Sequence, residues 1–125
     1  MPRFGDVLRR SRMKAGKSLG ALARFLGVSV VYMSDVERSR RSPLSNRRIM
    51  EASDFLGTDP SELLTAAIEE KGKLNLDVAD YPPVAIELLS GLARGRRRDE
   101  TYRKLLDLLK REDEKVDQGP QGNQS

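Results

Sequence analysis

Arginine and lysine are the residues of this chain with the most chemistry to offer, and they come early. Arg3, Arg9, Arg10, Arg12, Lys14, Lys17, Arg24, Arg38, Arg40, Arg41, Arg47 and Arg48 fall within residues 1–48, where the acids are Asp6, Asp35 and Glu37. That stretch carries +9, and residues 49–125 carry −5. Cationic groups at this density attract a polyanion: nucleic acid first, an anionic membrane surface second. Cys and His are absent. Disulfide scaffolds, Cys/His zinc sites, thiol nucleophiles and histidine-based triads are therefore excluded. The carboxylates are scattered, and no glycine-rich phosphate loop precedes a Lys-Ser or Lys-Thr pair. No enzyme site, cofactor site or metal site assembles from these residues.

The 125 residues, 38% hydrophobic and 34% charged, suit one domain of about 60–80 residues with an appendage, or one continuous small domain. No apolar run approaches the ~18–20 residues of a membrane span, and the N-terminus lacks the apolar core of a signal peptide. The expected location is the cytoplasm, at the nucleoid. Aromatic residues make up 5% of the chain, too few for a β-sandwich, and periodicity reads as helix nearly throughout.

The first helix is expected over Phe4–Ala15, ended by Gly16. A second spans Ser18–Leu26, with Ser18 as cap, Leu19, Leu22, Ala23 and Leu26 as its buried stripe, and Gly27 as its stop. A third runs over Val30–Arg38 behind the cap Ser29. Ser45 opens a fourth, to Leu56, burying Ile49, Ala52 and Leu56. Asp59-Pro60-Ser61-Glu62 begins a fifth, to Lys71, with capping residue, first-position proline and third-position glutamate in order.

Residues 72–82 change character: Leu74, Leu76 and Val78 alternate with Asn75 and Asp77 between Gly72 and Pro82-Pro83, the pattern of a short strand or an extended linker. The domain reading takes 72–83 as a linker between a 1–71 domain and an 84–112 helical segment. In that segment Ala85, Leu88, Leu89 and Leu92 form one apolar stripe, and Tyr102, Leu105, Leu106 and Leu109 another. Residues 113–125 are polar and Gly/Gln-rich and are expected to be a disordered tail.

The stretch from Ser18 to Arg38 decides the reading. Two short helices meet at the tight turn Leu26-Gly27-Val28-Ser29, and small Ala23 sits where they must approach. With Arg12, Val36-Glu37-Arg38, Pro43 and Phe55-Leu56-Gly57 around it, this resembles the Xre/Cro family of helix-turn-helix transcriptional regulators, over Phe4–Ile68. The resemblance implies an all-α, five-helix lambda-repressor-like DNA-binding domain. Members usually carry Gly after the Glu-Arg pair, where this chain has Ser39; Gly there often supplies a left-handed backbone.

A helical wheel sets Met33, Val36, Tyr32 and Glu37 on or beside the core face of the third helix, and Val31, Ser34, Asp35 and Arg38 on its free face. Val30 lies in the first turn. Val30, Val31, Ser34 and Arg38 are the expected base-contacting residues: valines for thymine methyls, Ser34 for several bases, Arg38 for guanine or else a phosphate. Asp35 accepts from a cytosine amino group, orients Arg38, or lies outside the DNA footprint. Phosphate contacts are expected from Lys17, Ser18 and Leu19 at the second helix, from Ser29 and Tyr32, and from Arg40, Arg41 and Arg47 beyond the third. Arg12, on the apolar side of its helix, and Glu37, bordering that of the third, are expected to form a buried or half-buried ion pair, which the resemblance also implies.

The C-terminal stripes either complete a monomeric core or pair two copies. The reading adopts a homodimer, since two-fold dimers read palindromic half-sites of double-stranded DNA about 34 Å apart. The resulting expectation is a dimeric transcriptional regulator, a repressor, that binds a palindromic operator; the alternative is an antitoxin-like module that binds a toxin partner and regulates its own operon. The arginine-rich 94–98 loop is a solvated turn or a nicking site for a regulatory peptidase. No membrane and no cofactor are implied.

Overall fold

A computed structural model describes the backbone of residues 2–123 and the side chains of residues 2–115. The helices are α1 (Phe4–Lys14), α2 (Leu19–Leu26), α3 (Val30–Glu37), α4 (Asn46–Leu56), α5 (Pro60–Lys71), α6 (Pro83–Ala93) and α7 (Asp99–Asn123), with a 3-10 turn at Val78–Asp80. No strand occurs among the described residues, so the fold is all-α. Residues 73–77, where a strand was one expectation, lead instead into that 3-10 turn, whose start is capped by the Asp77 carboxylate accepting from the Ala79 N–H at 3.0 Å. The chain forms two compact units, one ending at Asn75 and the other beginning at Leu76.

In the first unit, capping side chains set the helix starts. Ser18, Ser29 and Ser45 each accept a hydrogen bond through Oγ from the backbone N–H three residues on, at 3.0, 3.0 and 3.3 Å. Asp59 accepts from the Ser61 N–H at 2.9 Å, with Pro60 opening α5. These bonds satisfy amides that a helix start leaves without partners. Gly27 closes α2 with φ 72°, and the chain bends by 112° between α2 and α3 across Gly27-Val28-Ser29. Glycine is favoured there because a Cβ raises the energy of the left-handed region.

The core takes Phe4, Val7 and Leu8 from α1, Leu22, Ala23 and Leu26 from α2, and Met33 and Val36 from α3. Leu44, Ile49, Ala52 and Leu56 add the α4 side, and Leu63, Ala66 and Ala67 that of α5. The apolar periodicity of the sequence thus becomes one cluster. Its tightest approach is at Gly5, where an added Cβ would lie 2.6 Å from the Val36 carbonyl oxygen and closer still to that of Glu37. The end of α5 ties back to both sides: the Phe4 N–H donates to Glu70 at 3.1 Å, and Lys71 Nζ donates to the Leu44 carbonyl at 3.3 Å.

In the second unit, α6 buries none of its residues. Val84, Leu88, Leu92 and Leu105 line an open groove of about 400 Å³ between α6 and α7. Arg97 holds the connecting loop to both helices, its backbone N–H donating to the Tyr102 hydroxyl at 2.8 Å and its guanidinium to the Gly91 carbonyl at 3.0 Å. Helix α7 runs as backbone through Asn123, across residues expected as tail; Asp113, Glu114 and Lys115 include no helix breaker. Residues 124 and 125 lie outside the described residues.

Candidate nucleic-acid interface

Helix α3 is eight residues long, about 12 Å, and its two faces differ sharply. Met33, Val36 and Glu37 are buried. Val30 and Val31 are 50% and 71% exposed, large values for valines on a short helix packed against a core. Arg38 is exposed at its C-cap, and Ser34 and Asp35 are half-buried. Val30, Ser34 and Arg38 follow at successive four-residue steps, so they form one ridge with Val31 beside it. The ridge offers methyl groups, a hydroxyl and a guanidinium in that order. The Asp35 carboxylate makes no ion pair with Arg38 among the described residues, and the Asp35 backbone carbonyl accepts from the Arg40 N–H at 2.8 Å.

That bond belongs to the way α3 ends. The Ser39 N–H donates to the Val36 carbonyl at 3.1 Å, and Ser39 sits at φ 61°, the one positive φ at a described residue other than glycine. Together with the Arg40–Asp35 bond this is a Schellman closure. Ser39 adopts the left-handed conformation that glycine usually supplies, so the loop keeps its geometry without the glycine.

The cations expected at phosphates divide. Ser18 and Ser29 are exposed at the starts of α2 and α3, and Leu19 is half-buried behind Ser18. Lys17 Nζ lies 5.0 Å over the ring of Phe55, itself stacked on Phe25 at 4.6 Å, so its ammonium faces an aromatic pair. Arg47 pairs with Glu51 at 3.5 Å along the surface of α4. Arg40 and Arg41 are exposed after Ser39. The Arg41 and Arg48 guanidiniums both lie over the ring of Tyr32, at 5.4 and 5.8 Å. Arg48 was absent from the expected site. Only its place directly after Arg47 in a capped first turn could have signalled it.

Behind this surface, Arg12 locks α1, α3 and the α1–α2 turn together. Its Nε and Nη2 donate to the two carboxylate oxygens of Glu37 at 2.7 and 3.0 Å, and its Nη1 donates to the Lys17 carbonyl at 2.9 Å. The pair is largely buried, 13% exposed at Arg12 and 6% at Glu37. The hydrogen bond to Glu37 holds the guanidinium pKa above its ordinary value; burial opposes this, and the Glu37 charge adds to it. The expected ion pair is therefore present, and it fixes the end of α3 relative to the start of α2.

Two short helices crossing a three-residue turn, an exposed ridge on the second and cations around it define a helix-turn-helix DNA-binding protein. The chain belongs to the helix-turn-helix domain family, whose model matches residues 3–66, as the resemblance to Xre/Cro-type transcription regulators implied. Among solved structures it is similar to the N-terminal DNA-binding domain of SinR from Bacillus subtilis, at 30% identity, covering 49% of this chain and 88% of that one with a TM-score of 0.44. It is similar also to the clp gene regulator ClgR from Corynebacterium glutamicum, at 25% identity over 73% and 83% of the two chains, TM-score 0.46. A third is the SinR–SinI protein complex, at 22% identity over 89% and 98%, TM-score 0.47. No curated protein matches the chain. Among the described residues no single helix is long and apolar enough to cross a membrane.

Proposed function

We propose that the protein is a dimeric, sequence-specific repressor of transcription that reads a palindromic operator with the Val30–Ser34–Arg38 ridge of each α3. The observation that carries this reading is the exposure of Val30 and Val31 on a helix locked from behind by Arg12 and Glu37, with the exposed Arg38, Arg40 and Arg41 beside it. Valine methyls in water gain nothing; against thymine methyls in a major groove they select sequence. Ser18, Leu19, Ser29, Tyr32, Arg40 and Arg41 set the register on the backbone, with Lys17 and Arg47 joining where DNA draws them from Phe55 and Glu51. Dimerisation is assigned to α6 and α7. Leu88, Leu92, Leu106, Leu108 and Leu109 are between 38% and 61% exposed, and burying such side chains against a second copy contributes about 1.5–3 kcal/mol for each one fully covered.

The test is titration of the full chain onto DNA from upstream of its own coding sequence and onto random duplex, at several salt concentrations, with sedimentation in parallel. The reading expects tight binding to one palindromic segment by a dimer, weakened by salt. Equal, weak binding to every sequence would overturn specific regulation.

A further inference from the structure

The ring of Tyr32 is half-buried on α3, packed beside the core, and two guanidiniums from different elements converge on it. Arg41 reaches it from the loop after α3 and Arg48 from the first turn of α4. A guanidinium within about 6 Å of an aromatic centroid is attracted by the ring's negative face. Neither arginine has a carboxylate partner among the described residues, although Arg47, the neighbour of Arg48, is paired with Glu51 and Arg10 with Glu62. Two cations held at one ring without a carboxylate partner repel each other, and a nearby anion relieves that repulsion. A free arginine must be ordered when it binds a phosphate; one already held by a ring gives up less freedom.

We propose that Tyr32 is a positioning residue whose ring, rather than its hydroxyl, presents Arg41 and Arg48, already held, to phosphates of the DNA backbone. The inference rests on the DNA-binding reading above and adds Arg48 to the interface. Tyr32 thereby couples the recognition helix to the backbone grip, since the residue that aims the two arginines lies between Val31 and Met33 of α3.

The experiment is a set of double-mutant cycles on the full chain, titrated onto a mixed-sequence duplex at several salt concentrations. Tyr32→Phe keeps the ring and is expected within about threefold of the unmodified protein. Tyr32→Leu keeps apolar bulk without the ring and is expected to bind about tenfold more weakly. Arg41→Ala and Arg48→Ala should each cost several-fold beside Tyr or Phe at position 32, and less than about twofold beside Leu. A merely structural tyrosine would leave the arginine effects equal in every background. The proposal falls if Phe binds as weakly as Leu, which assigns the role to the hydroxyl, or if the arginine effects are the same beside Tyr and Leu. Because Tyr32→Leu could unfold, ring-current shifts of the Arg41 and Arg48 side-chain protons are read in the unmodified protein as well; their absence also overturns the proposal. If the unmodified chain binds no duplex at low salt, the DNA-binding reading fails and takes this inference with it. Additive cycles in a chain that binds DNA remove this inference alone.

Discussion

Arg12 grips Glu37 through two nitrogens, at 2.7 and 3.0 Å, and spends a third on the Lys17 carbonyl, so one side chain ties α1 to the end of α3 and to the approach to α2. The helix-turn-helix is therefore braced by a polar bridge that is itself largely buried. What the bridge fixes is the angle at which the exposed ridge of α3 meets the capped start of α2.

Removing one partner strands a charge that cannot regain water. Arg12→Met or Glu37→Gln should each lower folding stability by about 3–5 kcal/mol, measured by urea denaturation, while Arg12→Met combined with Glu37→Leu should recover much of the loss. The raised Arg12 pKa makes its contribution fully present below the unfolded-state value and lost only as pH rises through the folded one. Both lie far into the alkaline range, so titration of Arg12 should leave stability flat between pH 6 and about 9, and a slope there assigned to Arg12 would contradict this account.

Ser39 carries a left-handed backbone at φ 61°, a conformation that costs a residue with a Cβ about 1–2 kcal/mol. Ser39→Gly should recover roughly 1 kcal/mol of that and raise the melting temperature by a few degrees. A lower melting temperature would mean that glycine's greater freedom in the unfolded chain outweighs the strain relieved.

Two glycines on helices are expected to answer alanine in opposite ways. At Gly5 a Cβ collides with the carbonyls that end α3, so Gly5→Ala should destabilise by about 1–3 kcal/mol. At Gly20 on α2 nothing lies within 4 Å, and Gly20→Ala should gain roughly 0.4–1 kcal/mol. Thermal melts of the two variants side by side would decide, and equal shifts would rule out the close approach of α1 to α3.

Exposed residues of the proposed interface should separate by their salt behaviour. Arg40→Ala should weaken binding to all sequences alike and flatten the slope of log K against log salt by about 0.9. Val31→Ala should leave that slope intact and narrow the gap between operator and random duplex. Arg38→Ala reports its own role: a changed slope with equal loss everywhere assigns it to phosphate, a loss confined to one sequence assigns it to a base edge.

Leu106 is 50% exposed on α7. If α6 and α7 pair two copies, Leu106→Glu should turn a sedimenting dimer into monomers and leave the melting of the Phe4–Lys71 helices unchanged. A dimer that persists with glutamate there would place the contact elsewhere.

The elements were legible in the residues because their causes are local. Ser18, Ser29 and Ser45 cap helices through their own neighbouring amides, Gly27 and Gly57 stop them with left-handed backbone, and the spacing of Leu22, Leu26, Met33 and Val36 names the buried side before any partner is known. The Arg12–Glu37 pair was legible too, since each charge sat on or beside an apolar face and had to be satisfied. The fate of the surface cations was not. Lys17 turning to Phe55, Arg47 to Glu51, and Arg41 and Arg48 meeting at Tyr32 depend on contacts between side chains from different elements. Long charged side chains have many rotamers of similar energy, and no periodicity in the chain selects among them. Only the packing of α3 against its neighbours brings a particular ring or carboxylate within reach, and so decides which cations a ring holds, which a carboxylate pairs and which stay in solvent.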